Sequence, residues 1–243
     1  MTAIKFLDLP VKIQLTHYLS AVRFGFCAKP LYAFSMRTSL PPADQKLVQI
    51  VDAALAEAAR KSGDWLVCRK GCTQCCYGAF AISQLDATRL QKGLGDLMSS
   101  DPRRAARVLR RAQQSVKRLS ATFPGDPKTG ILGEEEDAEA AFADFANDEP
   151  CPALEPKTGA CDLYDSRPMT CRTFGPPVRS GEEGGLAVCE LCYHGASDQQ
   201  IAACEMVPDP DNLEEKLIAK IEKKTGKRGN TIVAWCLAEA ISK

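Results

Sequence analysis

The chain of 243 residues has no excess charge of either sign, since 31 Lys and Arg balance 31 Asp and Glu. That balance removes a global electrostatic pull toward nucleic acid or an anionic membrane, and neither is expected as a partner. No apolar run approaches the roughly 18 residues that read as a transmembrane helix. The first residues carry no long apolar stretch either, because Lys5, Asp8, Lys12, His17 and Arg23 interrupt them. Nothing there reads as an export signal, so a cytoplasmic location is expected. Also missing are a phosphate-binding Gly loop, an HExxH pair, a Ser–His–Asp signal, an internal repeat and a βαβ rhythm. These absences remove most motif-based enzyme assignments.

What the chain does have is cysteine, 12 residues of it. In a reducing compartment, clustered thiols bind metal more often than they form disulfides. Four fall in the string CRKGCTQCC: Cys68, Cys72, Cys75 and Cys76. Thiolate sulfur is the ligand for zinc and for iron–sulfur clusters, and short spacers let neighbouring thiolates converge on one point. A second group, Cys151, Cys161 and Cys171, lies in CPALEPKTGACDLYDSRPMTCRTF. A third, Cys189-x2-Cys192, has the spacing of a zinc knuckle, with His194 two residues on. Cys236 falls on the apolar stripe of a terminal helix and reads as a small buried hydrophobe, as does the isolated Cys27. Cys204 stays ambiguous. Arg69, Lys70, Arg167 and Arg172 are placed to offset thiolate charge, although Arg167 and Arg172 equally suit local ion pairs with Asp162 or Asp165.

The remaining pattern is helical. Apolar residues recur at helical spacing over 43–61, 84–98 and 102–122. Ser83 and Asp86 form an S-x-x-D start for the second of these. The third is densely basic, and its charge is expected to pair with the acidic segment 134–147 that follows. Asp211 and Glu214 mark a D-x-x-E start, Gly226 a stop, and a last helix carries Cys236. The expected fold is therefore mainly α, with helices around irregular cysteine-rich loops pinned by a metal centre and at most a short β-hairpin near 160–165. Residues 1–40 read as a leader packed on the body, 41–210 as the metal-binding domain, and 211–243 as a helical brace of the same domain.

The order of the two larger motifs is specific. Cys72, Cys75 and Cys76 precede Cys151-Pro152 with Leu154. Then come Gly159, Cys161, Tyr164, Arg167, Pro168, Cys171, Arg172 and Phe174. This arrangement resembles the YkgJ-like CxxCxxCC cysteine-cluster family, over roughly residues 65–178. The resemblance implies zinc or iron chelation and no particular reaction. One departure is the spacer of three residues between Cys68 and Cys72, where the family commonly has two.

The candidate ligands are Cys72, Cys75, Cys76, Cys151, Cys161, Cys171 and Cys68. The cofactor they imply is an iron–sulfur cluster, of the 4Fe–4S type, or Zn²⁺. More than four cysteines tilts the choice toward a cluster or toward two sites. Two other readings stand beside this one. Cys68-x3-Cys72-x2-Cys75 matches the spacing of radical S-adenosylmethionine enzymes, and a redox or protein-modifying enzyme would follow, but that chemistry needs a βα barrel around the motif. A zinc-stabilised scaffold or interaction module is the third reading, and the sequence leaves a protein partner open.

Overall fold

The computed structural model describes residues 39–69, 71–180 and 185–240. The expected leader, with Cys27 and His17, lies outside the described residues apart from its last two positions, and so does Lys70. The fold is mainly α. Its helices are α1 (Asp44–Ser62), α2 (Gln84–Ser100), α3 (Pro102–Leu119), α4 (Glu136–Ala143), α5 (Met169–Thr173), α6 (Asp198–Ala203), α7 (Leu213–Thr225) and α8 (Val233–Glu239). Three short antiparallel ladders pair β1 (Gly125–Asp126) with β2 (Ile131–Leu132), β3 (Leu154–Glu155) with β4 (Ala160–Cys161), and β5 (Val178–Ser180) with β6 (Gly185–Ala187). The expected hairpin is thus present slightly earlier than 160–165, and two more accompany it.

Local chemistry sets the helix ends. Ser83 Oγ accepts the Asp86 N–H at 3.2 Å and starts α2. Asp101 alone separates α2 from α3; its carboxylate accepts the Arg104 N–H at 3.0 Å, and Pro102 takes the first helical position. At α7 the capping carboxylate is not Asp211 but Asp209, which accepts the Glu214 N–H at 2.7 Å. Gly226 ends α7 in the left-handed region, φ 72°.

Helix α2 is the centre of the body. One side of it packs Leu90 and Leu94 against Val108 and Ala112 of α3 and Leu237 of α8. Its first turn places Leu85 in a second core with Leu47 and Val51 of α1, Leu217 and Ile221 of α7, and Met169 of α5. Burying each such side chain contributes about 1.5–3 kcal/mol, so both sides of α2 are firmly held. A third core stacks Phe123 on Trp235 with centroids 4.1 Å apart, and Trp235 Nε1 donates to the Pro127 carbonyl at 2.9 Å. The loops that carry the cysteines hang from this helical frame.

The basic face of α3 has partners other than those expected. Arg104 and Arg111 both bind Asp162, Arg107 and Arg111 reach Glu155, and Arg118 binds Glu149 at 2.5 Å. The acceptors belong to the β3–β4 hairpin and the loop before it, not to α4. The charge of α3 therefore fastens a cysteine-bearing hairpin to the frame.

Candidate metal centre

Four segments bring five thiols together. The 3-10 turn Gln74–Cys76 carries Cys75 and Cys76. It runs antiparallel to the segment before β3, where Cys151 N–H donates to the Cys76 carbonyl at 2.7 Å and Gly78 N–H donates to Glu149 at 3.0 Å. Cys151 is thereby fixed beside Cys76. The β3–β4 ladder pairs Leu154 with Cys161, which folds Cys161 back toward Cys151. Cys171 arrives on α5.

The position of α5 rests on a buried carboxylate. Asp86 accepts the Met169 N–H at 3.0 Å and pairs with Arg89, which also binds Asp44 at 2.5 Å. All three charged side chains are buried. Arg172, one residue after Cys171, reaches both oxygens of Asp52 at 2.7 and 2.8 Å and the Asp165 carbonyl at 2.6 Å. Its charge is spent on α1 and the 164–166 turn. Of the two arginines that flank Cys171, Arg167 is the one beside the thiols. Its guanidinium lies over the Tyr164 ring at 4.0 Å, and its buried Nε has no hydrogen-bond partner.

The electrostatics connect the five thiols. Cys171 is pushed up by burial first and then by Cys151, Cys75 and Cys161. Burial also raises Cys151, to about 12, with Cys161 and Cys75 adding to it. Cys161 is raised by burial, against which Arg167 and Arg104 act. Cys75 goes the other way, to about 6. A hydrogen bond from Cys76 outweighs its desolvation, and Arg167 adds to the effect. Cys76, the donor, is raised accordingly.

Nearby backbone N–H groups act against burial at three of the sulfurs: those of Ala153 and Leu154 lower the Cys151 thiol, that of Leu163 lowers Cys161, and that of Leu191 lowers Cys189. Such N–H groups favour a thiolate over a thiol. Five thiols in a half-buried site, with few cations beside them, cannot all ionise without a further positive charge. A bound metal supplies that charge and takes the protons' place, so the donor set fits one. Among the described residues, no three Cys, His, Asp or Glu side chains already stand as a finished metal cage. What the fold has assembled is the set of segments that carry the donors.

Cys68 and Cys72 stand apart from this group. Cys68 is exposed. Partial desolvation raises its thiol first, followed by Cys72, Cys75, Cys192 and Cys189. Cys189 in turn senses Cys192 and Cys72. The seven candidate ligands therefore divide into an inner five and an outer pair, with Cys75 between them and Cys189 and Cys192 joining the outer pair.

A family model described as "CxxCxxCC: Putative zinc- or iron-chelating domain" matches residues 67–192. The chain belongs to the CxxCxxCC family. No curated protein and no solved structure matches it significantly. The CxxCxxCC match spans both cysteine motifs, the β3–β4 hairpin, α5 and the knuckle at 189–192, while α7 and α8 lie beyond it.

Within this CxxCxxCC chain the other cysteines are now placed. Cys236 is 2% exposed, and its sulfur donates to the Ala87 carbonyl at 3.3 Å. Cys204 is buried with Tyr193 behind the knuckle. His194 is exposed. The radical-enzyme reading required a barrel, and the described residues around the motif form helices and two-stranded ladders. In the sequence Asp86 reads as the acidic residue of a helix start. Its hold on Met169 spans 83 positions and has no local sequence signal.

Proposed function

We propose that this protein holds an iron–sulfur cluster on its inner thiols, with ligands drawn from Cys75, Cys76, Cys151, Cys161 and Cys171. The observation that carries the reading is that four segments bearing five thiols are tied together: Cys151 N–H to the Cys76 carbonyl, Leu154 to Cys161 across the β3–β4 ladder, and α5 to Asp86. One tetrahedral zinc uses four thiolates and is then closed. A fifth thiol, and amide hydrogen bonds of the kind that tune cluster potentials, favour the cluster over a single zinc. When bound, a cluster supplies an electron-transfer centre or a structural tie. The residues of this chain orient it. Asp86 sets α5, the α3 arginines set the hairpin, and Arg167 supplies positive charge next to Cys75.

All 11 described cysteines are free thiols, which suits a reducing compartment such as the cytoplasm. Single Cys→Ser changes test the assignment. Cys75→Ser, Cys151→Ser and Cys171→Ser should each lower bound iron, whereas Cys236→Ser should leave it unchanged. Equal iron loss at Cys236 would overturn the assignment. Zinc in place of iron, in a colourless protein, would overturn the cluster and leave the chelating site.

A further inference from the structure

We infer that the outer cysteines form a second, separate metal site, in which Cys68 and Cys72 bind one zinc ion together with Cys189 and Cys192. The inference does not depend on what the inner thiols hold.

The chain geometry brings the two pairs to one place. Tyr193 N–H donates to the Trp65 carbonyl at 2.9 Å, which ties the residue after Cys192 to the segment leading into Cys68. Cys189 N–H donates to the Gly175 carbonyl at 3.4 Å. Gly175 itself lies against the other pair, because a Cβ added there would sit 3.8 Å from Cys68 Cβ and 3.3 Å from Leu66 Cδ1. Its φ of 121° is open to glycine and strained for other residues. Gly175 thus lies against the Cys68 side chain and accepts the Cys189 N–H, so it neighbours both pairs.

Each pair is also folded as a ligand turn. Cys72 N–H donates to Arg69 at 2.9 Å, which curls the C-x3-C segment. Cys192 N–H donates to the Cys189 carbonyl at 2.9 Å, which closes the C-x2-C turn. Tyr193 follows with φ 60°, a left-handed conformation that a tyrosine adopts only under constraint. The constraint is visible. Its hydroxyl bonds Ser62 Oγ at 2.5 Å, and its ring is buried with Cys204, Trp65, Leu66 and Ile201. The turn is therefore held in shape by an apolar wall behind it. Mutual electrostatic influence among Cys68, Cys72, Cys189 and Cys192 agrees with this placement.

The chemistry selects zinc. Four thiols in two short-spaced pairs match the C-x2–4-C arrangement of closed structural zinc sites, and each thiol gives its proton to solvent as the ion binds. Such an ion would clamp Cys68 and Cys72 to the turn of Cys189 and Cys192.

The test uses the full-length protein, stripped of metal under reducing conditions and titrated with Zn²⁺ in competition with a chromophoric chelator. The double variant Cys189→Ser/Cys192→Ser should bind one equivalent fewer than the parent, while Cys151, Cys161 and Cys171 remain protected from alkylation. An unchanged zinc stoichiometry would overturn the second site. The parent protein gives an independent reading by alkylation mapped with mass spectrometry. Cys68, Cys72, Cys189 and Cys192 should gain protection together when Zn²⁺ is added and lose it together to chelator. Equal alkylation of Cys189 and Cys192 with and without zinc would overturn the proposal even if the variant failed to fold. Loss of protection confined to the inner five would count against the inner site only.

Discussion

The carboxylate of Asp86, in the first turn of α2, accepts the backbone N–H of Met169 at 3.0 Å. That one bond sets where α5 begins, and therefore where Cys171 sits relative to Cys75, Cys151 and Cys161. It also ties α5 to a helix that packs into two of the hydrophobic cores.

Asp86→Ala should therefore cost both stability and metal. It leaves Arg89 buried with Asp44 alone and frees the Met169 N–H. Breaking a buried ion pair from one side costs about 3–5 kcal/mol. Urea denaturation should show that loss, and metal analysis of the folded fraction should show less bound metal than in the parent. A variant with parental stability would mean that α5 is held by other contacts.

Gly93 lies where α2 faces the 164–166 turn. A Cβ there would fall 2.2 Å from Ser166 Oγ and 2.5 Å from Ser166 Cβ. Alanine would gain about 1 kcal/mol of helix propensity. It would also force the turn that leads into Arg167 off α2, at about 1–3 kcal/mol. Gly93→Ala should thus be neutral to destabilising by thermal unfolding and should weaken metal retention. A clear rise in Tm with unchanged metal would contradict the close contact.

Arg167 is the cation next to Cys75 and has a buried Nε without a partner. Removing a group that supports metal ligands typically costs 10–100-fold in affinity. Arg167→Gln should lower metal retention against a chelator by about that range, and Arg167→Lys should recover part of it. Identical retention in all three proteins would show that the charge at 167 serves only the Tyr164 stack and its ion pair with Asp52, 3.7 Å away.

The helical skeleton was readable before any coordinates, and the expected starts and ends of α1, α2 and α3 agree with the observed ones within a few residues. Periodicity over 17–19 residues is a strong signal in each case. Of the ladders only the hairpin near 160 was expected, and β1–β2 and β5–β6 were not readable, because strands of two or three residues have no period. The partners of α3 were misjudged for a related reason. The acidic run beside it in sequence suggested the pairing, but Asp162 lies 51 and 58 residues from its partners Arg111 and Arg104, and Glu155 comes from the same hairpin. In the centre itself the thiols announced themselves by spacing. The contacts that tie the Cys68 segment to the Cys189–Cys192 turn run through Trp65 and Gly175, neither of which carries ligand chemistry that a sequence would reveal.

Glu214 gives a pH test away from the cysteines. Burial, followed by the nearby Asp86, raises its carboxyl to about 7 from an ordinary 4.5. A raised folded-state value means that the folded protein holds the proton more tightly than the unfolded chain does. The stability contributed is complete below about pH 4.5 and is lost as pH rises through 7. Glu214→Gln should match the parent near pH 5 and exceed it near pH 8 by about 1–2 kcal/mol, after allowing for partial solvent screening. Parallel stability curves between pH 5 and 8 would contradict a raised carboxyl.

The most direct measurement is the iron, acid-labile sulfide and zinc content of anaerobically purified protein, taken with its visible spectrum. The inner thiols should hold an iron–sulfur cluster. Iron and sulfide should then be present together with a broad visible absorption that bleaches on oxidation and is lost in Cys171→Ser. A folded protein free of iron and zinc, with Cys151, Cys161 and Cys171 in disulfides, would contradict the account.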